Sequence, residues 1–192
     1  MTVSSIPPSG SSHSDTAKSG LLQGKKGLVM GVANDRSIGW GIASATAGQG
    51  AELAFTYQGD ALKKRVNPLA ASVGSDMVLP CDVSDESSVD LVFNSLKEKW
   101  GKLDFLVHAI AYSDKEELKG GYVDTTRENF QKTMDISVYS FTALAKRAAE
   151  IMPDGGSLLT MTYYGAERVM PVSYTHLRAP RDISGSRMPS SA

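Results

Sequence analysis

The chain has 192 residues, of which 41% are hydrophobic and 21% are charged, so it is long enough for one well-buried domain and short for two. Its 20 basic and 21 acidic side chains leave a net charge of -1, which gives no electrostatic reason to expect binding to nucleic acid or to an anionic membrane. No apolar run is long enough to span a bilayer, and the single cysteine, Cys81, rules out an internal disulfide and fits a reducing compartment.

The first twenty residues differ in composition from the rest of the chain. They are rich in serine and contain Pro7, Pro8 and two glycines, without the basic start and apolar stretch of a secretory signal. They also lack the apolar groups that are needed to offset chain entropy. We therefore expect residues 1–20 to form a disordered extension, and we expect the protein in the cytoplasm.

Short apolar runs alternate with longer amphipathic stretches from residue 21 to about residue 162. The apolar runs predict five strands, at residues 27–33, 52–57, 77–79, 103–107 and 157–162. The stretches between them predict helices at residues 37–48, 61–73, 84–100 and 126–152. Strands that are apolar throughout and separated by helices indicate a parallel sheet covered on both faces. The predicted fold is therefore a doubly wound, Rossmann-like α/β domain.

The third predicted helix has the clearest period. Its apolar residues fall at spacings of three and four, as one face of a helix requires: Val89, Val92, Phe93, Leu96 and Trp100. Ser84 or Asp85 is expected to cap its start, and Gly101 is expected to end it. In a doubly wound sheet, ligands bind beyond the carboxyl ends of the strands where the winding reverses. The residues that follow each strand are therefore the candidates for function.

The turn after the first strand, residues 31–41, is rich in glycine. A helix N-terminus presents unpaired N–H groups and the positive end of its dipole, and glycines let the backbone approach a pyrophosphate closely. The spacing differs from G-x-G-x-x-G, so the generic dinucleotide fingerprint does not match. By itself the turn is equally typical of a tight strand–helix connection with no ligand.

Six segments in a fixed order make the sequence more specific. They read GVA followed by SIGWGI from Gly31, then ELAFTYQ, CDV, LDFLVHAIA, DISVYSF and YYGAER, which ends at Arg168. Together they resemble the bacterial enoyl-acyl-carrier-protein reductases, which belong to the short-chain dehydrogenase/reductase superfamily. The resemblance implies an NAD-binding domain over residues 21–171. It also implies NADH-dependent reduction of the trans-2 double bond of enoyl-acyl-carrier-protein in fatty acid biosynthesis.

The resemblance assigns the phosphate and adenosine contacts of the cofactor. It implies that Gly31, Ser37 and Ile38 hold the pyrophosphate and the adjoining ribose. Gln58 ends the second strand, where a related dehydrogenase often has an acidic residue that reads the adenosine ribose. Gln58 is neutral and three basic residues follow it at 63–65, so the residues alone leave NADH and NADPH both open. The resemblance favours NADH.

Asp82 and Val83 follow the third strand, where the family binds adenine. The carboxylate of Asp82 can accept a hydrogen bond from an amino group, and Val83 can supply apolar contact. The alternative is that Asp82 begins a helix cap together with Ser84. After the fourth strand, the resemblance places Ile110 near the nicotinamide ribose.

Two other residues near the fourth strand concern the substrate side of the site. Ser113 would begin the wall of the substrate pocket, according to the resemblance. His108 is an attractive acid or base, but a histidine at the end of an apolar strand is more often structural. No catalytic role is therefore predicted for His108, and no metal site is predicted.

Tyr163 follows the fifth strand and matches the first of the two tyrosines of the family's site. The implied reaction sends a hydride from NADH to the β-carbon of an enoyl thioester, so negative charge develops on the thioester oxygen. A tyrosine hydroxyl can donate a hydrogen bond to that oxygen, which implies a catalytic role for Tyr163. An aromatic side chain packed at a strand end is the alternative.

The resemblance ends after Pro171. The family continues with a second tyrosine and then a lysine, at positions that hold Ser173 and Pro180 here. We therefore interpret residues 172–192 as a non-native tail on a truncated domain. The sheet is expected to keep an unpaired edge and exposed apolar faces, and the chain is expected to be poorly stable and to reduce enoyl thioesters little or not at all.

Two other functions are compatible with parts of the sequence. A carbonyl-reducing short-chain dehydrogenase needs a lysine four residues after its tyrosine, and Glu167 at that place counts against this function. A nucleotide-binding fragment or regulatory module without catalysis remains open. The resemblance also implies a homotetramer for the full-length parent, and the helix predicted at 126–152 could supply an interface or be buried in the core.

Overall fold

The computed structural model describes residues 20–118 and 122–162 of the chain. Three of the sequence-based predictions therefore lie outside the described residues, wholly or almost wholly. They are the disordered extension at residues 1–20, the catalytic role of Tyr163, and the non-native tail at residues 172–192.

Five strands form one sheet in the described part of the chain. The strands are β1 (Lys26–Met30), β2 (Glu52–Tyr57), β3 (Met77–Pro80), β4 (Phe105–His108) and β5 (Ser157–Thr160). Their order across the sheet is β3-β2-β1-β4-β5, and every pairing is parallel. The prediction of a parallel, doubly wound sheet is confirmed. The order reverses at β1, between β2 and β4, which places the switch point at the carboxyl end of β1.

Helices connect the strands. They are α1 (Ile38–Gly48), α2 (Gly59–Ser72), α3 (Glu86–Trp100), α4 (Arg127–Met134) and α5 (Ser140–Glu150). Short 3₁₀ turns lie at Glu116–Leu118 and Tyr122–Asp124, and a π-helical turn at Asp135–Tyr139 joins α4 to α5. No helix in residues 20–118 or 122–162 is long and apolar enough to cross a membrane.

The helix ends follow from local capping. Asp85 caps α3 through its side chain, which accepts a hydrogen bond from the Ser87 amide, and Gly101 ends the helix in the left-handed conformation. Of the two candidate caps, Asp85 rather than Ser84 is therefore the one observed. Thr126 caps α4 in the same way, since its hydroxyl accepts a hydrogen bond from the Asn129 amide.

Two predicted elements differ substantially from the observed ones, whereas the other bounds agree to within two residues. The first strand ends at Met30, three residues earlier than predicted, because Gly31 turns the chain with φ of +93°. The single long helix predicted at residues 126–152 is divided by the π-helical turn. Hydrogen bonds from Ser137 to the segment after β4 accompany this wider turn.

The core lies on both faces of the central strands. Alternate residues of β1 point to opposite faces, so Leu28 packs in the layer of α3 and α5, whereas Val29 packs in the layer of α1 and α2. Coverage does not extend to β5, which pairs only with β4 among the described residues. Leu158 and Leu159 are 39% and 43% exposed there, so β5 is an uncovered edge in this part of the chain.

Candidate functional site

A cavity of about 220 Å³ opens at the carboxyl ends of the strands, beside the switch point. Five of the predicted site residues line it: Gly31, Gln58, Asp82, Val83 and Ile110. These residues follow four different strands, so the sheet alone brings them together from positions up to 79 residues apart in the sequence. This is the crevice in which doubly wound domains bind their ligands.

Gly31 allows the turn after β1 to lie directly against the end of β4. A Cβ atom at this position would lie 2.1 Å from the carbonyl oxygen of Ala109, and the φ of +93° is one that residues with side chains rarely adopt. Glycine is therefore required at position 31 both by space and by backbone conformation. The close approach forms the floor of the cavity between β1 and Ile110.

Ser37 and Ile38 begin α1, next to this turn, and they are not among the residues that line the cavity. Ser37 is the N-cap of α1, but its side chain does not cap the helix. Its hydroxyl instead donates to the Asn34 carbonyl oxygen over 2.7 Å and accepts from the Ala33 amide over 3.4 Å. The first turn of α1 carries no acidic side chain, and Ile38 is 69% exposed. The positive end of this helix is thus left accessible to an anion.

Gln58 and Asp82 are joined across the mouth of the cavity. The Gln58 side-chain amide donates to Oδ2 of Asp82 over 2.8 Å, while the amide and the hydroxyl of Ser84 both donate to Oδ1. The hydrogen bond from the Ser84 hydroxyl is the largest cause that lowers the pKa of Asp82, and burial opposes it. Asp82 is therefore a carboxylate at neutral pH. Its bond to Ser84 forms a turn before α3, whose cap is Asp85.

The π-helical turn closes the other side of the cavity. Ile136 lines the cavity together with Ile110 and Tyr112. The Ser137 hydroxyl accepts a hydrogen bond from the Tyr112 amide over 3.0 Å and donates to the Tyr112 carbonyl oxygen over 3.2 Å. This pair of bonds fixes the segment after β4 to the turn. Single-turn π-helices are frequent at functional sites, where they re-aim the residues beside them.

Ser113 does not line the cavity. Its hydroxyl instead accepts a hydrogen bond from the side-chain amide of Asn129, over 3.2 Å. Asn129 is buried and also accepts a bond from the Asp114 amide, so α4 holds the segment after β4 in place. In the described residues, Tyr112 rather than Ser113 is the last of this segment to reach the cavity.

Cys81 and His108 are the buried titratable groups at these strand ends. Cys81 lines the cavity, and burial raises the pKa of its thiol to about 11, so the thiol is protonated. His108 ends β4, does not line the cavity and is 1% exposed, and burial lowers the pKa of its ring to about 4. Its ring is hydrogen-bonded to Ser140 and Thr160 and is neutral at pH 7.

Several cavity residues were not predicted from the sequence. Besides Cys81 they are Val32, Ala33, Thr56, Tyr57, Leu62, Ala109, Ala111, Tyr112 and Ile136. Most of them are next to a predicted site residue in the sequence, so they could have been predicted as its neighbours. Ile136 is different, because it lies 26 residues from Ile110 and reaches the cavity only through the π-helical turn. In the sequence, Ile136 stands out only as a member of the DISVYSF segment. That segment supports the resemblance to the family but indicates no role for Ile136 itself.

A parallel doubly wound sheet, with a glycine turn and a crevice at its switch point, defines a Rossmann-like domain of the dinucleotide-binding class. A family model described as "Enoyl-(Acyl carrier protein) reductase" matches residues 31–179, which is more than half of the chain. The chain therefore belongs to the enoyl-acyl-carrier-protein reductase family, as the resemblance of its six segments predicted.

Relatives and solved structures agree with this family. The chain is 66% identical over 153 residues to "Enoyl-[acyl-carrier-protein] reductase [NADH] 1" of Rhizobium meliloti (strain 1021), an alignment that covers 80% of this chain and 56% of the relative. The crystal structure of the Anaplasma phagocytophilum reductase in complex with NAD is 56% identical, with a TM-score of 0.77, and the match covers 81% of this chain and 59% of that one.

The NADH-dependent reductase from Aquifex aeolicus is similar as well. Its crystal structure is 47% identical to the chain, with a TM-score of 0.79, over 83% of this chain and 64% of its own. The chain thus spans somewhat more than half the length of the curated relatives that it matches.

Proposed function

We propose that this chain binds NADH in the cavity at the switch point, and that it supplies the cofactor site of a reductase acting on the trans-2 double bond of enoyl-acyl-carrier-protein in fatty acid biosynthesis. One observation carries the proposal. Residues that follow β1, β2, β3 and β4 line a single crevice, beside a helix N-terminus that no side chain caps. The family membership of the chain and the NADH named for its relatives support the same cofactor.

The cavity fits the adenosine half of NADH. Asp82 is ionised, and Gln58 is the one group among the described residues that donates to its Oδ2, so a lone pair remains for the amino group of adenine. Val83 supplies an apolar surface beside it. The Gln58 side chain would contact the adenosine ribose. A 2′-phosphate here would bring further negative charge close to Asp82, which favours NADH over NADPH.

The rest of the cofactor extends toward β4. Gly31, Ser37 and Ile38 would hold the pyrophosphate and the adjoining ribose at the start of α1, where the helix dipole is positive. Ile110 would contact the nicotinamide ribose, with Ser113 at the start of the substrate wall. Bound NADH supplies a hydride for the β-carbon of the substrate.

The chain's own contribution to the chemistry is proposed for Tyr163. Its hydroxyl would donate a hydrogen bond to the thioester oxygen, on which negative charge develops during the reduction. Ser173 and Pro180 stand where the family has a second tyrosine and a lysine, so we expect this chain to bind NADH with little or no turnover. A nucleotide-binding module without catalysis remains the second candidate for the same reason.

The proposal also includes a homotetrameric assembly and a cytoplasmic location. Phe130 and Tyr139, on α4 and the π-helical turn, are 41% and 54% exposed and line one surface depression with Met134 and Val138. Such a patch suits contact with a second copy, as the homotetramer of the family requires. The cytoplasm is the proposed compartment, because the Cys81 thiol is unpaired.

NADH binding can be tested on the purified chain by following the fluorescence of the dihydronicotinamide. Asp82→Ala removes the carboxylate from the cavity and should weaken binding by about tenfold or more, as the loss of a charge-assisted hydrogen bond predicts. Asp85→Ala is the matched control. It removes the cap of α3 and should lower stability by about 1 kcal/mol without changing the affinity for NADH.

Either of two results would contradict the proposal. The first is a wild-type chain that is folded but does not bind NADH at millimolar concentration. The second is equal weakening by Asp82→Ala and Asp85→Ala, since binding would then depend on stability rather than on the cavity. Tighter binding of NADPH than of NADH would overturn the choice of cofactor and leave the site in place.

A further inference from the structure

His108 occupies an unusual place for a histidine. It is the last residue of β4, and its side chain points into the core layer of α3 and α5 with 1% exposure. Both ring nitrogens are hydrogen-bonded to hydroxyl groups from other elements. Nδ1 lies 3.0 Å from Oγ1 of Thr160, at the end of β5, and Nε2 lies 2.9 Å from Oγ of Ser140, at the start of α5.

The hydrogen bonds determine which ring nitrogen carries the proton. The Ser140 hydroxyl donates its only hydrogen to the Ile136 carbonyl oxygen, over 2.6 Å. It can therefore only accept from the ring, so Nε2 must carry the proton. Nδ1 is then an acceptor, and the Thr160 hydroxyl must donate to it. Burial lowers the pKa of the ring to about 4, which agrees with a neutral ring of this kind.

This chain of bonds links four elements, which are β5, β4, α5 and the π-helical turn. It runs from Thr160 through the ring to Ser140 and on to Ile136, which lines the cavity from the π-helical turn. The backbone adds a further link, because the Met161 amide donates to the His108 carbonyl oxygen over 3.1 Å. His108 therefore joins the ends of β4 and β5 through both its side chain and its backbone, in addition to the strand pairing.

The ends of β4 and β5, which this network links, belong to the nicotinamide half of the proposed cofactor site. Doubly wound domains bind the two halves of a dinucleotide on the two sides of the switch point. The adenosine half is formed by the ends of β2 and β3, at Gln58 and Asp82, neither of which contacts the His108 network. The nicotinamide half falls on the side of β4 and β5, where Ile110 is two residues beyond His108 and Met161 directly follows Thr160.

We propose that His108 is a positioning residue for the nicotinamide half of the cofactor site, which acts by fixing the ends of β4 and β5 to each other and to the π-helical turn through Thr160 and Ser140. This inference rests on the proposed binding of NADH. It assigns to His108 no proton transfer and no contact with the cofactor. The role is to hold Ile110, Ile136 and the chain beyond Thr160 in one arrangement.

Thr160→Val tests the role with the least disturbance. Valine has nearly the same shape as threonine and favours a strand, but it leaves Nδ1 of the ring without a donor. Thr160→Ser keeps the hydroxyl and is the matched control. We expect Thr160→Val to raise the dissociation constant for NADH by about tenfold, as a lost buried partner predicts, and Thr160→Ser to restore it to within about threefold of wild type.

ADP, which lacks the nicotinamide and its ribose, separates positioning from a general loss of stability. Its dissociation constant should change by less than about twofold in Thr160→Val, because the network lies on the nicotinamide side. Equal weakening of NADH and ADP would show a purely structural role and overturn the proposal. An unchanged affinity for both ligands would overturn it too.

The ring itself can be observed without any cofactor. Nitrogen-15 spectra of chain labelled at histidine should show one ring, absent in His108→Gln, with a protonated Nε2 and an unprotonated Nδ1 across neutral pH. A protonated Nδ1 would contradict the network. If that signature is present but wild type binds neither NADH nor ADP, the proposed function fails, and the nicotinamide role of His108 fails with it, whereas the hydrogen-bonded network stands.

Discussion

The two halves of the sheet are held together by different kinds of interaction. Around β1, β2 and β3 the buried residues are nearly all apolar, and Thr56 is the exception. From β4 to α5 the described residues include five buried polar side chains: His108, Asn129, Thr133, Ser137 and Ser140. Each of these five is hydrogen-bonded to another segment or to another member of the group.

The two kinds of interaction position the two sides of the crevice with different precision. Apolar packing is strong and has little directionality, which suits the half that must simply keep the ends of β2 and β3 side by side. Hydrogen bonds between buried side chains are directional, and each one becomes costly when a partner is lost. The second half therefore positions its segments more sharply, although β5 is left exposed in the described part of the chain.

The largest expected effect compares a leucine from each half. Leu28 on β1 is fully buried, whereas Leu159 on β5 is 43% exposed. Leu28→Ala should lower the free energy of unfolding by about 3–5 kcal/mol because it leaves a cavity in the core, and Leu159→Ala should lower it by less than about 1 kcal/mol. Urea unfolding followed by circular dichroism measures both. Similar losses in the two variants would mean that β5 is covered in solution.

The next effect concerns the contact between the halves at Gly31. Gly31→Ala places a Cβ 2.1 Å from the Ala109 carbonyl oxygen at a strained φ, so it should cost about 2–4 kcal/mol and push β1 and β4 apart. Affinity for NADH should fall together with the stability. Gly48→Ala, at the end of α1 with open space around its Cβ, is the control and should leave the affinity unchanged and raise the stability by at most about 1 kcal/mol. Tight NADH binding by Gly31→Ala would exclude this close approach as a part of the site.

The smallest effect is the pH dependence that His108 contributes to the second half. The pKa of its ring is about 4 in the folded chain, against the ordinary histidine value of 6.5, so the unfolded chain binds the proton more readily. The stabilising contribution is therefore complete above pH 6.5 and decreases as the pH falls from about 6.5 to about 4, by about 2–3 kcal/mol. His108→Gln keeps a donor near Ser140, cannot titrate, and should flatten the profile over this range.

Comparison of wild type with His108→Gln at each pH isolates this residue, since His13 and His176 are present in both. Urea unfolding at a series of pH values between about 4 and 7 gives the measurement. A difference between the two proteins that does not change with pH would show that the ring is not buried and neutral as described.

The strands and helices were largely predictable because their signals are local. The spacing of Val89, Val92 and Leu96 predicted α3, and Asp85 and Gly101 mark its ends in the sequence as in the structure. The division of the helix predicted at 126–152 was not predictable in the same way. It accompanies hydrogen bonds between Ser137 and Tyr112, which are 25 residues apart and meet only after β4 and the π-helical turn have been brought together.

The candidate site was likewise predictable only in part from the sequence. The sequence placed Gly31, Gln58, Asp82, Val83 and Ile110 after strands, and the crevice follows from that placement once the strands are parallel. Ser113 was expected at the substrate wall, and whether it touches substrate remains a prediction. The bond that its hydroxyl accepts from Asn129 could not be foreseen, because neither side chain carries a sequence signal for the other.

The amino-acid sequence was sufficient to assign the family, the parallel order of alternating strands and helices, and the strand ends at which a cofactor is expected, since these depend on periodicity and on short ordered segments. The folded arrangement was needed to assign the tautomer of His108, the hydrogen bond between Gln58 and Asp82, and the place of Ile136 in the cavity lining. The physical reason is that hydrogen bonds act over about 3 Å and depend on direction, so they are settled only when distant segments have packed at a fixed distance and angle.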